Sequence, residues 1–165
     1  MSASADPHLT PDLIIRAYRQ GLFPMADAVD DPETFWVDPQ MRGVMPLEDF
    51  HVPRRLARTI KRAPFDMRID RDFRQTIEAC RMASADRPTS WINDDILFAY
   101  CKLHAMGYAH SVECWHGDRL VGGLYGVCIA GAFFGESMFS RQTDASKIAL
   151  TYLVARLKYA LSLIH

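Results

Sequence analysis

The stretch LVGGLYGVCIAGAFFGESMFSRQTDASK, residues 120–147, decides the fold of this chain. An apolar, glycine-rich run, Leu120 to Ile129, breaks at Ala130-Gly131, and a second run, Ala132 to Ser137, follows at once. Two apolar runs joined by a two-residue turn predict an antiparallel hairpin. The polar segment Ser140 to Thr143 then opens a helix from about Asp144 to Leu161, with Ile148, Ala149, Tyr152, Leu153 and Leu157 on its buried face. Gly122, Gly123 and Gly126 weaken a strand unless another group approaches its backbone closely. Glu136 stands among Phe133, Phe134, Met138 and Phe139, where a carboxylate is costly to bury without a partner. Such features mark a candidate site.

Upstream, Ala109 to Trp115 reads as a third strand, joined through His116-Gly117-Asp118-Arg119, so the three form an antiparallel meander. Helices are predicted where caps and apolar stripes coincide. Thr10 caps and Pro11 opens a helix bearing Leu13, Ile14, Ala17 and Tyr18, closed by Gly21. A short helix spans about Pro53 to Arg62 and is stopped by Pro64. Phe65 to Ile69 alternates as a strand. Asp70 or Asp72 caps a helix carrying Phe73, Ile77 and Cys80, and Asn93 caps one through Ile96, Leu97, Tyr100 and Leu103 that ends at Gly107. Residues 22–46 hold Pro24, Pro32, Pro39 and Pro46 and read as loop with short strands.

With 165 residues, 49% hydrophobic and 24% charged, the chain has the composition of an ordinary globular protein. Its net charge of −1 means that any nucleic-acid contact must come from a local patch. The four cysteines form no C-x-x-C pair and lie in apolar runs, the pattern of free thiols in a reducing compartment. There is no apolar run long enough for a membrane span and no signal peptide, so the expectation is a cytoplasmic protein.

Arg54, Arg55, Arg58, Lys61, Arg62, Arg68, Arg71 and Arg74 gather eight of the 19 basic residues between positions 54 and 74. On a helix Arg54, Arg58, Lys61 and Arg62 share one face, opposite Leu56 and Ile60. That is either a phosphate-binding face or a solvated one. Trp91 follows a loop and precedes a helix, where an indole either stacks on a base or packs as a capping hydrophobe. Trp115, at a strand end, reads as core. Glu136 is either a site acid, a carboxylate bonded to the next strand, or an acid facing solvent. His110, Cys114 and His116 share a strand face, but no second cluster completes a set of metal ligands, so no metal is assigned. No G-x-S-x-G elbow is present.

The ordered set AYRQGLFP (17–24), FWVDPQMRGVMPL (35–47), FHVPRRL (50–56), SWI (90–92), LHAMGYAHSVECW (103–115), GGLYGV, GESMFS and ASK resembles the leucyl/phenylalanyl-tRNA–protein transferases over residues 10 to 158. The resemblance implies an α+β fold: a small N-terminal domain with the basic helix, 1–64, and a GNAT-like acyltransferase domain with the meander and long helix, 65–165. It implies tRNA contact by Arg54, Arg58, Lys61 and Arg62. It implies aminoacyl-adenosine binding by Met25, Trp91, Leu124, Phe133, Glu136 and Ser137, with Glu136 as the catalytic candidate. Met25 departs from the family, where a tryptophan commonly follows G-x-F-P, and a thioether stacks less well.

The implied reaction moves leucine or phenylalanine, with methionine a third candidate, from its tRNA to proteins with N-terminal Lys or Arg. That marks them for N-degron proteolysis, with no cofactor and a monomeric enzyme. The family carries a further strand with an Asp-x-Gln segment after the long helix, and this sequence has none. The expectation is therefore a chain truncated at its C-terminus, inactive or weakly active alone. Two alternatives are a non-catalytic tRNA-binding module and an acyl-CoA-dependent N-acyltransferase. Against the second, Asp144 and Ser146 stand where a pyrophosphate loop has small residues, and Asp144 repels a pyrophosphate at a helix N-terminus.

Overall fold

The computed structural model describes residues 9–82, 84 and 87–162, with the side chains of the last two left out. Its elements are α1 (Pro11–Arg19), β1 (Phe23–Met25), β2 (Phe35–Val37), α2 (Arg54–Lys61), β3 (Asp66–Ile69) and α3 (Phe73–Arg81). They continue with α4 (Asp94–Ala105), β4 (Ala109–His116), β5 (Arg119–Ile129), β6 (Ala132–Ser140) and α5 (Ala145–Ser162). The fold is α+β with antiparallel sheets. Among the described residues no helix is long and apolar enough to cross a membrane.

The backbone sorts into two compact units. One holds the described residues up to Met41 together with Arg81–Tyr108, and the other holds Arg42–Cys80 with the described residues from Ala109 onward. In the first, Thr10 Oγ1 accepts the Leu13 N–H and Pro11 occupies the first turn of α1. Asn93 Oδ1 accepts the Ile96 N–H to cap α4. The Tyr18 and Tyr100 hydroxyls meet at 2.6 Å between the two buried helix faces. β1 and β2 pair Phe23 with Val37 and Met25 with Phe35.

The second unit is a four-stranded sheet in the order β3-β4-β5-β6. The meander is as the sequence predicts, with β4 and β6 running on to His116 and Ser140. Ala130 and Gly131 both have positive φ, the backbone a tight two-residue hairpin turn demands. β3 adds a fourth strand, pairing Ile69 with Val112. On one face α2 and α5 bury Leu56, Ala145, Ile148, Ala149 and Leu153 against Val112, Cys114 and Leu124. On Tyr125, Phe73 of α3 packs edge-on, ring centroids 5.8 Å apart. A boundary at 64/65 falls inside this unit, since Leu56 of α2 shares the buried cluster of the sheet.

Two of the strand glycines find their reason in packing. A Cβ on Gly122 would overlap the Ala145 methyl at the start of α5, and one on Gly123 would come within 2.7 Å of the Val112 carbonyl oxygen. The pairing also slips twice. Cys114 faces Gly122 while Trp115 faces Leu120, so Val121 bulges, and its carbonyl accepts the Arg141 N–H at 2.8 Å. Tyr125 faces Ser137 while Gly126 faces Gly135, so Glu136 is the extra residue of a second bulge.

Candidate active site

A cross-strand row, His110–Gly126–Gly135, runs over three strands of the sheet. At its middle a Cβ on Gly126 would overlap the Phe134 carbonyl oxygen and lie 2.5 Å from Phe133 Cε1, so backbone and ring together occupy the space a side chain would need. Beside this ring lies a cavity of about 390 Å³. Ile69, Val112, Phe133, Leu153 and Leu157 give it apolar walls, while His110, Ser111, Cys128, Arg156 and Tyr159 supply polar atoms. A mostly apolar hollow with few polar groups fits a small apolar group carried on a polar one.

The residues the resemblance implies fall into distinct places. Phe133 lines the cavity. Leu124 lies in the buried cluster on the same sheet face, 3% exposed, and is core. Glu136 and Ser137 sit on β6 outside the cavity wall, Glu136 half-buried in its bulge. A bulge re-aims the side chain it carries, which is why such irregularities recur beside sites. Met25 and Trp91 belong to the other unit. There the Ala26 N–H donates to the Trp91 carbonyl at 3.1 Å, which brings the end of β1 to the half-buried indole.

The fully buried carboxylate of the sheet is Glu113, a residue the sequence reading passed over. Its Oε1 accepts from the Asp72 N–H at 2.9 Å and the Ser111 hydroxyl at 2.7 Å, and its Oε2 from Trp115 Nε1 at 2.8 Å. Three donors satisfy it, so its burial is structural. The signal lay in the strand itself, because Ser111, Glu113 and Trp115 are two apart and share a face. Asp72 also caps α3 by accepting the Gln75 N–H. Asp70, with φ of 55°, accepts from His110 Nδ1 at 2.8 Å and from the Ser111 N–H at 2.8 Å. His110 entered the sequence reading only as a metal candidate. Among the described residues no group of three His, Cys, Asp or Glu gathers to hold a metal ion.

The basic residues separate by environment. Arg68 pairs with Asp66 at 2.7 Å, and Arg74 with Glu78 at 2.9 Å. Arg71 lies 4.2 Å from the centroid of the Trp115 ring, with Asp118 at 3.7 Å. Arg54, Arg58, Lys61 and Arg62 are exposed on α2 and join no ion pair among the described residues. Leu56 anchors the opposite side of that helix in the core. A fixed row of uncompensated cations is the feature that attracts a polyanion.

Two further local features bear on chemistry. At the start of α5, Asp144 takes positive φ and faces Lys147 at 3.4 Å, and the Ser140 hydroxyl accepts the Ser146 N–H. A carboxylate thus stands at the helix end that a pyrophosphate would need. All four cysteines are free, Cys80 and Cys114 buried and Cys101 and Cys128 partly so. Burial pushes the Cys114 thiol up from its ordinary 9.0 to about 12, opposed in part by a backbone hydrogen bond from Ala149.

The model of the leucyl/phenylalanyl-tRNA protein transferase family matches residues 44–163, and that of the family's N-terminal domain matches residues 8–40. The leucyl/phenylalanyl-tRNA–protein transferase of Phenylobacterium zucineum (strain HLK1) is 58% identical over 144 residues, covering 87% of this chain and 65% of the relative. That of Hyphomonas neptunium (strain ATCC 15444) is 56% identical over 147 residues, covering 89% and 57%. The chain thus spans somewhat over half of the length of these relatives.

Proposed function

Because the chain belongs to the leucyl/phenylalanyl-tRNA–protein transferase family, we propose that it takes part in transfer of leucine or phenylalanine from aminoacyl-tRNA to a protein amine. The acceptors in this reading are proteins with N-terminal Lys or Arg, the product enters N-degron proteolysis in the cytoplasm, and methionine is a third donor. The single observation that carries the reading is the family match over most of the chain, together with relatives named for that reaction.

The geometry supports a division of labour. The exposed cations of α2 meet tRNA phosphates, and the cavity beside Phe133 has room for a leucyl or phenylalanyl side chain. Met25 and Trp91 are assigned to the terminal adenosine. Leu124, Phe133, Glu136 and Ser137 are assigned to the aminoacyl end, with Leu124 and Phe133 on its apolar side. The sheet with α5 is read as a GNAT-like acyltransferase region, residues 65–165, with 1–64 as the N-terminal region and a monomer as the working form. An aminoacyl ester is already activated, so holding ester and amine together supplies much of the rate. The carboxylate at the start of α5 speaks against acyl-coenzyme A as donor.

The test is direct. Purified protein is mixed with radiolabelled leucyl-tRNA and an Arg-N-terminal peptide, and label on the peptide is counted. Weak transfer is the expected result. Salt-dependent tRNA binding without transfer would favour the tRNA-binding module instead. Thermal protection by coenzyme A and not by tRNA would overturn the reading.

A further inference from the structure

We propose that Phe35 is a further residue of the adenosine site, the ring on which the terminal adenine of the tRNA stacks, an assignment that rests on the transferase reading above. β1 and β2 form a two-stranded ribbon in which Pro24 is opposite Trp36 and Met25 is opposite Phe35. Successive residues of a strand point to opposite sides, so Met25 and Phe35 share one face and Pro24 and Trp36 the other. Pro24 is fully buried, Met25 is half-buried and Phe35 is 43% exposed. With Pro24 against the interior, the Met25–Phe35 face is the outer one.

The same end of the ribbon is tied to the segment that carries Trp91. The N–H of Ala26, the residue after Met25, donates to the Trp91 carbonyl at 3.1 Å. Asn93 is buried, and its Nδ2 donates to Thr34 Oγ1 at 3.2 Å and to the Asp31 carbonyl at 2.9 Å. Thr34 immediately precedes Phe35. Residues 91–93 thus clasp the connection at both strand ends, once beside Met25 and once beside Phe35. Arg81 holds the connection a third time, bonding the Val29 carbonyl at 3.4 Å and pairing with Asp94 at 2.6 Å. Phe35 and the stretch bearing Trp91 are therefore fixed as neighbours within one compact unit.

A single exposed phenylalanine needs no explanation. One fixed beside Trp91 does, because a purine needs a flat π face and residue 25 offers a thioether, which fills space but stacks less well. Among the described residues neither Phe35 nor Trp91 gives its ring to another aromatic or to a cation. Phe35, one strand over, presents the π face that residue 25 lacks. Stacking a base on an aromatic side chain is worth about 5- to 150-fold in affinity.

The probe is leucine joined through an amide to 3′-amino-3′-deoxyadenosine, compared with the same compound carrying hydrogen in place of adenine. In the full chain the adenine probe is expected to shift the Phe35 ring resonances upfield and to leave those of Trp36, on the other face, in place. The base-free probe should shift neither. Phe35→Leu keeps the apolar bulk and loses the π face. It should weaken the adenine probe about tenfold and leave the base-free probe unaltered, and Phe35→Trp should keep the affinity. In a Met25→Trp background, where an indole supplies that face, Phe35→Leu should cost no more than about twofold. A merely structural Phe35 would give equal losses for both probes and in both backgrounds. The assignment is overturned if the adenine probe binds without moving the Phe35 resonances, or if Phe35→Leu binds both probes as the unaltered protein does. The resonance measurement needs no variant, so it decides even where a substitution unfolds the protein. If the unaltered protein binds neither the adenine probe nor leucyl-tRNA, the transferase reading falls and takes this assignment with it.

Discussion

The centre of the sheet around Glu113 and its edge around Glu136 treat the same functional group in opposite ways. At the centre, three donors from β4 and the start of α3 close around a carboxylate with no exposed surface. At the edge, a bulge lifts a half-buried carboxylate out of the pairing on β6. Full burial with three donors is a way to hold strands together, whereas a bulge turns a half-buried acid out of the regular pairing.

The comparison breaks most readily at Glu113. Glu113→Ala leaves the Asp72 N–H, the Ser111 hydroxyl and Trp115 Nε1 without their acceptor and should cost about 4 kcal/mol in urea unfolding. A loss below about 1 kcal/mol would mean that the network is not what holds α3 to the sheet. Next in size is Gly126→Ala. Its methyl collides with the Phe134 carbonyl oxygen as well as the Phe133 ring and should cost about 2 kcal/mol, with weaker binding of a leucyl ligand. Gly135→Ala, its neighbour in the row, meets nothing within 4 Å and serves as the matched control.

Glu136→Gln sharpens the contrast from the other side. Its stability should stay within about 0.5 kcal/mol of the unaltered protein while transfer to an Arg-N-terminal peptide falls at least about tenfold. Equal losses in both would make Glu136 a structural acid like Glu113.

The smallest effect concerns the thiols. Cys114 at the centre should resist alkylation at pH 8 in the folded protein, and the partly exposed Cys128 should react, as peptide mass mapping would report. Below pH 9 the Cys114 thiol is protonated in both folded and unfolded chains and adds no pH dependence. Between 9 and about 12 the unfolded chain releases a proton that the native state keeps, so stability should fall as pH rises through that window.

Much of the fold could be read locally. Thr10, Asn93 and the Ala130-Gly131 turn announce themselves within four residues, because caps and tight turns are short-range chemistry. What stayed hidden is non-local. The pairing of β3 with β4, the joining of 81–108 to the first unit and the two bulges depend on residues distant in sequence. The site was legible in proportion. Phe133, which the resemblance singles out, lies on the cavity wall, and the Asp70–His110 contact spans the two ends of an excursion that no spacing reveals.

That excursion has a kinetic consequence. β4, β5, β6 and α5 follow one another directly, so their contacts close short loops and should form early in folding. β3 joins only when Ile69 meets Val112, after about 40 residues have been looped out, and loop entropy grows so slowly that doubling this length would add only about 0.6 kcal/mol. Sheet registry should therefore tolerate changes in the length of residues 82–89, and a refolding chain should assemble the meander before it acquires its Asp70–His110 contact.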